Sequence, residues 1–441
     1  MPLINSSGIS NHQMKNLGKA AVIFSWTICA LGALFYCYEY LLRISPSVMT
    51  QELMKFYHLT GAEYGNVSGS FYYYSYVVMQ ILVGLLMDRF GPRRLLTFAC
   101  GLCAVGAYLF ACSDQISIAM IGRFLIGLGS SFAFVGAAKL ATIWLPPERF
   151  ALMSGIIFCL GMLGAMFGAI VLRLLVDSTG WQSAIYGAAA VGVVIMIILW
   201  VVIRDVNPYH ENHYSHHIPT FKEVLSGLVV ALKKPQIWLV GTVGCLLYLF
   251  LTAFAELWGP AYLEQAHGLS RANAVNANTM VFLGCAIGCP FIGWFSDLIQ
   301  RRRLPVLLFA SITLVVVCIL LYAPSLSLVS IYILLFLFGF FSSSQILMFA
   351  IGREMTSIKI SGTTIGLINM LIMVGGIIFP PVVGKLLDIC WDGSTLEGAR
   401  LYSKYAFTVA MSVLPIGILL GIILTCFIRE TYCKIYIDEH P

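Results

Sequence analysis

Charge is what this chain has little of. Of its 441 residues 10% are charged, against about 25% in an ordinary soluble domain. So few charges cannot coat a water-facing surface. With 59% hydrophobic residues and a mean hydropathy of +0.89, most of the exterior must meet lipid. A phosphate-binding loop of the form Gly-x-x-x-x-Gly-Lys-Ser/Thr is missing, which argues against a pump powered within this chain. There is no nucleophile or metal cluster at a common depth, so an enzyme is not expected, and neither is a cofactor. No repeated pore-loop motif supports a channel. The 13 cysteines follow no metal-ligand spacing. Cys100, Cys103, Cys159, Cys245 and Cys318 lie singly in apolar runs, where a thiol acts as a small hydrophobe. Cys285 and Cys289 are one helical turn apart, but no His or carboxylate accompanies them, so no metal is expected. A signal-peptide cleavage site is also lacking: residues 1–19 are polar, and the apolar run that follows is expected to stay as a first span.

What is present is a series of apolar runs. A membrane-spanning helix needs about 20 mostly apolar residues. Twelve segments qualify: 20–43, 64–87, 94–112, 117–143, 150–175, 182–203, 236–263, 272–296, 304–322, 327–352, 361–386 and 404–428. The expected fold is an all-α membrane protein of twelve transmembrane helices in two pseudo-symmetric six-helix bundles. The bundles are read as 1–203 and 236–441, joined by a polar linker at 204–235. The linker's His210, His213, His216 and His217 have no closed metal-site spacing and read as a solvated stretch.

Lys and Arg sort by loop. Seventeen fall on one side, among them Arg93, Arg94, Arg204, Arg302 and Arg303, and seven on the other. Arg123 and Lys139 lie within a span. The positive-inside rule makes the richer side cytoplasmic. Both termini and the linker are then expected in the cytoplasm, in a bacterial inner membrane. The net charge of +6 is thus a topology signal and gives no reason to expect nucleic acid.

The two halves repeat at an offset of about 210 residues. Gly84-Leu-Leu-Met-Asp88 closes the second run and Gly293-Trp-Phe-Ser-Asp297 the eighth; arginines follow both. Gly155 and Gly164 recur as Gly366 and Gly375, and Asp177 recurs as Asp388. With an even number of spans per half, the halves share one topology and are related by an axis along the membrane normal.

On these residues the chain, over about 18–430, resembles the major facilitator superfamily. The most specific match is Gly84-x-x-x-Asp88-Arg89-x-Gly91-x-Arg93-Arg94, similar to that family's loop between spans two and three. A degenerate copy stands at Gly293, Asp297 and Arg301. The glycine would let a helix approach closely, and the aspartate can pair with loop arginines, forming a latch that breaks between conformations. Alternatively these charges only fix topology. Arg123-Phe-Leu-Ile-Gly127-Leu-Gly129 is similar to a second family motif. Gly161, Gly164 and Gly168 resemble the glycine-rich fifth helix, without its Gly-Pro pair, and read as a packing surface.

Ionisable residues inside spans are costly and are functional candidates by default. Glu39 and Arg43 are four apart and share a helix face. Arg43 matches the position at which organophosphate and related anion symporters carry an anion-binding arginine; otherwise it snorkels to the headgroups. Where those exchangers carry a second basic residue, on helix seven, this chain has Glu256. One arginine with two carboxylates suits a zwitterion. That pattern also resembles amino-acid or dipeptide transporters of intracellular bacteria and lysosomes. Tyr72, Tyr76 and Gln80 share a face and either line a cavity or pack. Asn369 is a cavity candidate at mid-span, and Lys139 either contacts substrate or snorkels.

The expectation is a secondary active transporter working by alternating access. It takes up a zwitterionic nutrient, an amino acid or small peptide, with protons as coupling ion. Substrate contacts are expected from Arg43, Glu39, Tyr72, Tyr76, Glu256 and Asn369, and proton coupling from Glu39, Glu256 or Arg123. The alternatives are a carrier or exchanger of an organic anion or sugar phosphate, and a non-transporting membrane solute sensor. The expected partners are a small-molecule substrate, protons and the lipid bilayer, with the chain as a monomer.

Overall fold

The computed structural model describes residues 11–112, 114–145, 147–206, 221–356, 360–396 and 399–434. The linker histidines His210, His213, His216 and His217 lie outside these residues. Among those described the chain is nearly all helical. The exception is a two-residue antiparallel ladder, Thr395–Leu396 with Ala399–Arg400.

Eleven helices among the described residues are long and apolar enough to cross a membrane. A twelfth span forms from Gly61–Met79 and Val83–Phe90, bent by 58° at their junction. Each apolar run read from the sequence becomes one of these spans, numbered 1 to 12 in chain order. Span 1 differs most. Its apolar run predicts an end at residue 43, but the span continues through a 3-10 turn at Ser45–Met49 and the helix Thr50–Phe56. Spans 2 and 11 pack along each other across the interface between halves, as do spans 5 and 8. Spans 1 and 7 meet at the centre. The outer faces of spans 3, 6, 9 and 12 expose Tyr108, Val194, Val315 and Ile416, which is what a lipid-facing surface requires.

The repeat seen in sequence reappears as packing. A methyl on Gly127 would overlap the Tyr72 carbonyl, and one on Gly339 would overlap the Val281 carbonyl. These are the same span-4-on-span-2 and span-10-on-span-8 contacts in the two halves. Gly164 and Gly168 lie against Cys37 and Leu41 of span 1, so the glycine stripe of span 5 is a packing surface.

Proline shapes the interior. It lacks an N–H, so a carbonyl four residues earlier loses its donor, and lipid supplies no water in exchange. Pro46 leaves the Leu42 carbonyl, which accepts from Arg123 Nη1 at 2.9 Å and Ser45 Oγ at 2.8 Å. Pro381 leaves the Ile377 carbonyl, which accepts from Ser70 Oγ at 2.6 Å. In span 7 the stretch Phe250–Trp258 adopts the wider π register ahead of Pro260. Asn278 Nδ2 donates to the Ala255 carbonyl there at 2.8 Å. Each irregularity is thus tied to a side chain of another segment, which fixes how the spans sit.

Gly127→Ala is expected to lower stability by about 1–3 kcal/mol, because the carbonyl it meets is backbone and cannot give way. Gly84→Ala, whose methyl would meet nothing within 4 Å, is expected to be neutral or to gain up to about 1 kcal/mol. Thermal unfolding of the detergent-purified variants separates the two.

Candidate functional site

The core of the site is a guanidinium between two carboxylates. Span 1 places Glu39 and Arg43 one turn apart, with Arg43 Nη2 3.3 Å from Glu39 Oε1. Span 7, in its π stretch, brings Glu256 from the opposite half, its Oε1 3.6 Å from Arg43 Nη1. All three side chains are at most 4% exposed. Tyr72 of span 2 accepts from Arg43 Nε at 2.8 Å and donates to Glu39 Oε2 at 3.1 Å. Tyr73, one residue on, turns the other way and donates to Glu256 Oε2. Arg43 therefore lies well inside the protein and does not reach a headgroup surface. Its guanidinium carbon also stands over the rings of Tyr40 at 4.5 Å and Tyr76 at 5.0 Å.

These ion pairs are long. A charge-assisted hydrogen bond to a carboxylate runs at about 2.7–2.9 Å. Arg43 is divided between two partners, and Glu39 Oε1, Glu256 Oε1 and Arg43 Nη2 make no hydrogen bond. Such a group can exchange one partner for another at lower cost than one held bidentate.

Arg123, expected among the proton-coupling groups, does something else here. Its donors go to the carbonyls of Leu42, Arg43 and Ser68, at 2.6–3.3 Å. It satisfies backbone where span 1 changes register after Arg43 and where span 2 runs in a π stretch at Asn66–Ser70. Among the described residues no carboxylate is paired with it.

A cavity of about 700 Å³ opens beside Arg43. Its deep wall is Tyr36, Tyr40, Arg43 and Tyr76; Tyr248, Gln345 and Asn369 come from the second half. It runs past Gln80, Gly84 and Leu85 to Asp88 and Glu223, toward the end of the molecule that holds Arg93 and Arg302. Asn369 Nδ2 donates to Gln80 Oε1 across the halves at 2.6 Å.

The opposite end is closed by two inter-half clusters. In one, Asp388 of span 11 accepts from the backbone N–H of Gly61 and Ala62 at the start of span 2, both at 2.9 Å. Arg400 at 3.0 Å and Tyr402 at 2.6 Å hold the same carboxylate. Gly384 and Gly61 touch through backbone alone. In the other, Glu52 of span 1 binds Arg173 of span 5 at 3.1 Å and Arg271 of span 8 at 2.7 Å. Gln51 beside it bonds Arg271 and Glu264.

The residues read as a latch lie toward the cavity's open end; Asp297 has a loop arginine as partner and Asp88 does not. Asp88 pairs with Lys139 of span 4 at 2.7 Å and not with a loop arginine. That contact also gives Lys139 a protein partner in place of the headgroups or a substrate. Arg89 and Arg94 are exposed. Arg93 donates to the Trp200 carbonyl and its amide is capped by Asp205 at 2.8 Å. Gly91 turns the chain at φ +82°, with the Asp205 carboxylate where a Cβ would be. In the second half Asp297 pairs with Arg302 at 2.7 Å; Arg301 is exposed. Glu354 also binds Arg302, at 2.8 Å. Gln300, 209 residues after Gly91, takes the left-handed conformation at φ +52°. Glu430 caps the amides of Arg302 and Arg303 as Asp205 caps Arg93. Neither Gly84 nor Gly293 has a helix against it, so the close approach expected of them is missing in this conformation.

Sequence reasoning missed Tyr73, Tyr40, Tyr36 and Gln345. Tyr36 and Tyr40 stand at four-residue spacing with Glu39 and Arg43 close by, a signal that was available. Cys285 and Cys289 have sulfurs 3.9 Å apart, and no metal-holding group occurs among the described residues.

A family model described as Major Facilitator Superfamily matches residues 22–380. The "Probable sulfoacetate transporter SauU" of Cupriavidus necator is 25% identical over 380 residues, 82% of this chain and 87% of that protein. The "Probable galactarate/D-glucarate transporter GudP" of Escherichia coli is 23% identical over 397 residues, 82% of this chain and 86% of its own length. A bacterial homolog to the human lysosomal transporter Spinster, solved in an inward-facing, unoccupied conformation, superposes with a TM-score of 0.70. It is 14% identical, with 93% of this chain and 96% of that chain covered, and it attests the fold.

Asp388→Ala removes the acceptor for two backbone amides, a tyrosine and an arginine at once. Amide exchange in the segment 60–66 is expected to speed up about tenfold or more, since hydrogen bonds to a charged group contribute about 1.5–3 kcal/mol each. Hydrogen-exchange mass spectrometry of the full chain measures it; unchanged protection would show that Asp388 does not hold this end closed.

Proposed function

We propose, on the premise that the chain belongs to the Major Facilitator Superfamily, that it carries small organic anions together with protons by alternating access. The coarser part follows from the family: this is a multi-pass membrane protein and a secondary transporter, and it is not an enzyme. The finer part rests on charge.

Glu39, Glu256, Arg43 and Arg123 are all buried around Tyr72 and Tyr73, and their formal charges sum to zero. An anion brought to Arg43 would add an uncompensated charge in a dry site, which costs several kcal/mol. A proton arriving on Glu39 or Glu256 restores neutrality. The observation that carries the reading is the Arg43–Glu256 contact, because it joins the halves. A substrate anion competing for Arg43 loosens that contact, so binding is coupled to rearrangement of the halves. The named sulfoacetate and galactarate/D-glucarate transporters support an anionic class.

The positive-inside rule assigns the cavity's open end, with Arg93 and Arg302, to the cytoplasm. Both termini then lie inside, the conformation is inward-open, and the membrane is a bacterial inner membrane. The rocking units are 1–203 and 236–441, joined by 204–235. A zwitterion is the second reading. Its carboxylate would take Arg43 and its ammonium a carboxylate or the face of Tyr76, and no proton would be needed to balance charge.

In liposomes, radiolabelled sulfoacetate and D-glucarate are expected to accumulate when the outside is acid and to leak back when the gradient is collapsed. Arg43→Met is expected to abolish uptake. Glu39→Gln is expected to lose accumulation. Accumulation that persists in both Glu39→Gln and Glu256→Gln without a proton gradient would overturn the coupling. Uptake of amino acids with neither anion carried would replace the anion by the zwitterion.

A further inference from the structure

The cavity wall holds a second, uncharged set of hydrogen-bonding groups. In span 10, Ser343 Oγ bonds back to the Gly339 carbonyl at 2.8 Å, an interaction that loosens a helix. The chain tightens there into a 3-10 turn over Ser343–Ile346. That turn sets Gln345 in the cavity wall, 4% exposed, with Oε1 accepting no hydrogen bond. Span 2 breaks after Met79, and Gln80 there lines the same cavity from the first half, 8% exposed. Gln80 Oε1 is taken by Asn369, while its Nε2 donates to nothing.

A buried amide atom without a partner is destabilising, and a ligand that meets it removes that cost. Among the residues that line the cavity beside Arg43 there are therefore a buried unmet acceptor on the second half and a buried unmet donor on the first. A hydroxyl can donate to the first and accept from the second; a methylene can do neither. We propose that Gln345 and Gln80 form a neutral subsite that reads hydroxyl groups on a substrate whose anionic end lies on Arg43. The substrate class is then a hydroxylated organic acid. The subsite rests on the anion reading above.

The test is binding by the purified full-length protein, by calorimetry, of three matched pairs: gluconate and hexanoate, glycerate and propionate, glucarate and adipate. The hydroxylated member of each pair is expected to bind on the order of tenfold tighter or better, because an unmet polar group penalises the plain chain. Gln345→Met is expected to bring that ratio toward one. Gln80→Met, on the other half, is expected to do the same and serves if the first variant does not fold. Arg43→Met is expected to abolish binding of both members. If both members bind alike and depend on Arg43, the anion reading stands and the subsite is wrong. If the ratio survives both glutamine variants, the subsite is again wrong. If no anion of either series binds, the anion reading falls and the subsite with it.

Discussion

Everything near the centre of this protein answers to one condition: a guanidinium shut away from water must be balanced. Arg43 is balanced twice, by Glu39 on its own helix and by Glu256 from the other half. The first partner is permanent, since four residues of helix separate them. The second holds only while the halves are close at this depth. Tyr72 and Tyr73 divide the same way, one serving Glu39 and the other Glu256. A single pair of adjacent residues on span 2 thus touches both sides of the balance.

The backbone obeys a parallel rule. In a bilayer each freed carbonyl needs a donor from the protein itself. The prolines of spans 1 and 11 and the π stretch of span 7 free carbonyls close to the site, and Arg123, Ser70 and Asn278 answer them. This explains why a charged residue can be central and yet bond to backbone carbonyls in place of a carboxylate. Arg123 spends its donors on the main chain, holding in place the turn that aims Arg43. Its positive charge still counts in the sum that makes the cluster neutral.

Much of this was legible in the sequence, for identifiable reasons. The spans follow from hydropathy, which needs no partner to be read. Glu39 and Arg43 follow from helical spacing, and Glu256 from the cost of a carboxylate in an apolar run. What could not be read depends on how two separate helices register. Asp88 finds Lys139, 51 residues on, in preference to the arginines next to it. Asp297 selects Arg302 from three consecutive arginines. Tyr73, off the face that Tyr72 and Tyr76 share, is the tyrosine that meets Glu256. Gln345 gave no signal, as it stands in a serine run whose departure from α geometry is not apparent from composition. The glycines Gly84 and Gly293 were read for close packing that this conformation does not make.

The closure by Asp388 has an evolutionary side. Its two partners on span 2 are peptide N–H groups of Gly61 and Ala62. Almost any residue other than proline can supply an N–H, so that half of the contact does not depend on which side chains mutation places there. Small size is constrained at position 61 by the approach of Gly384 and at position 65 by the Pro380 carbonyl. The inheritance of this closure therefore rests on span 11 and the Arg400–Tyr402 segment. On span 2 the Ala62 position, which gives Asp388 only its N–H, is left freer to vary its side chain than Gly61 or Gly65.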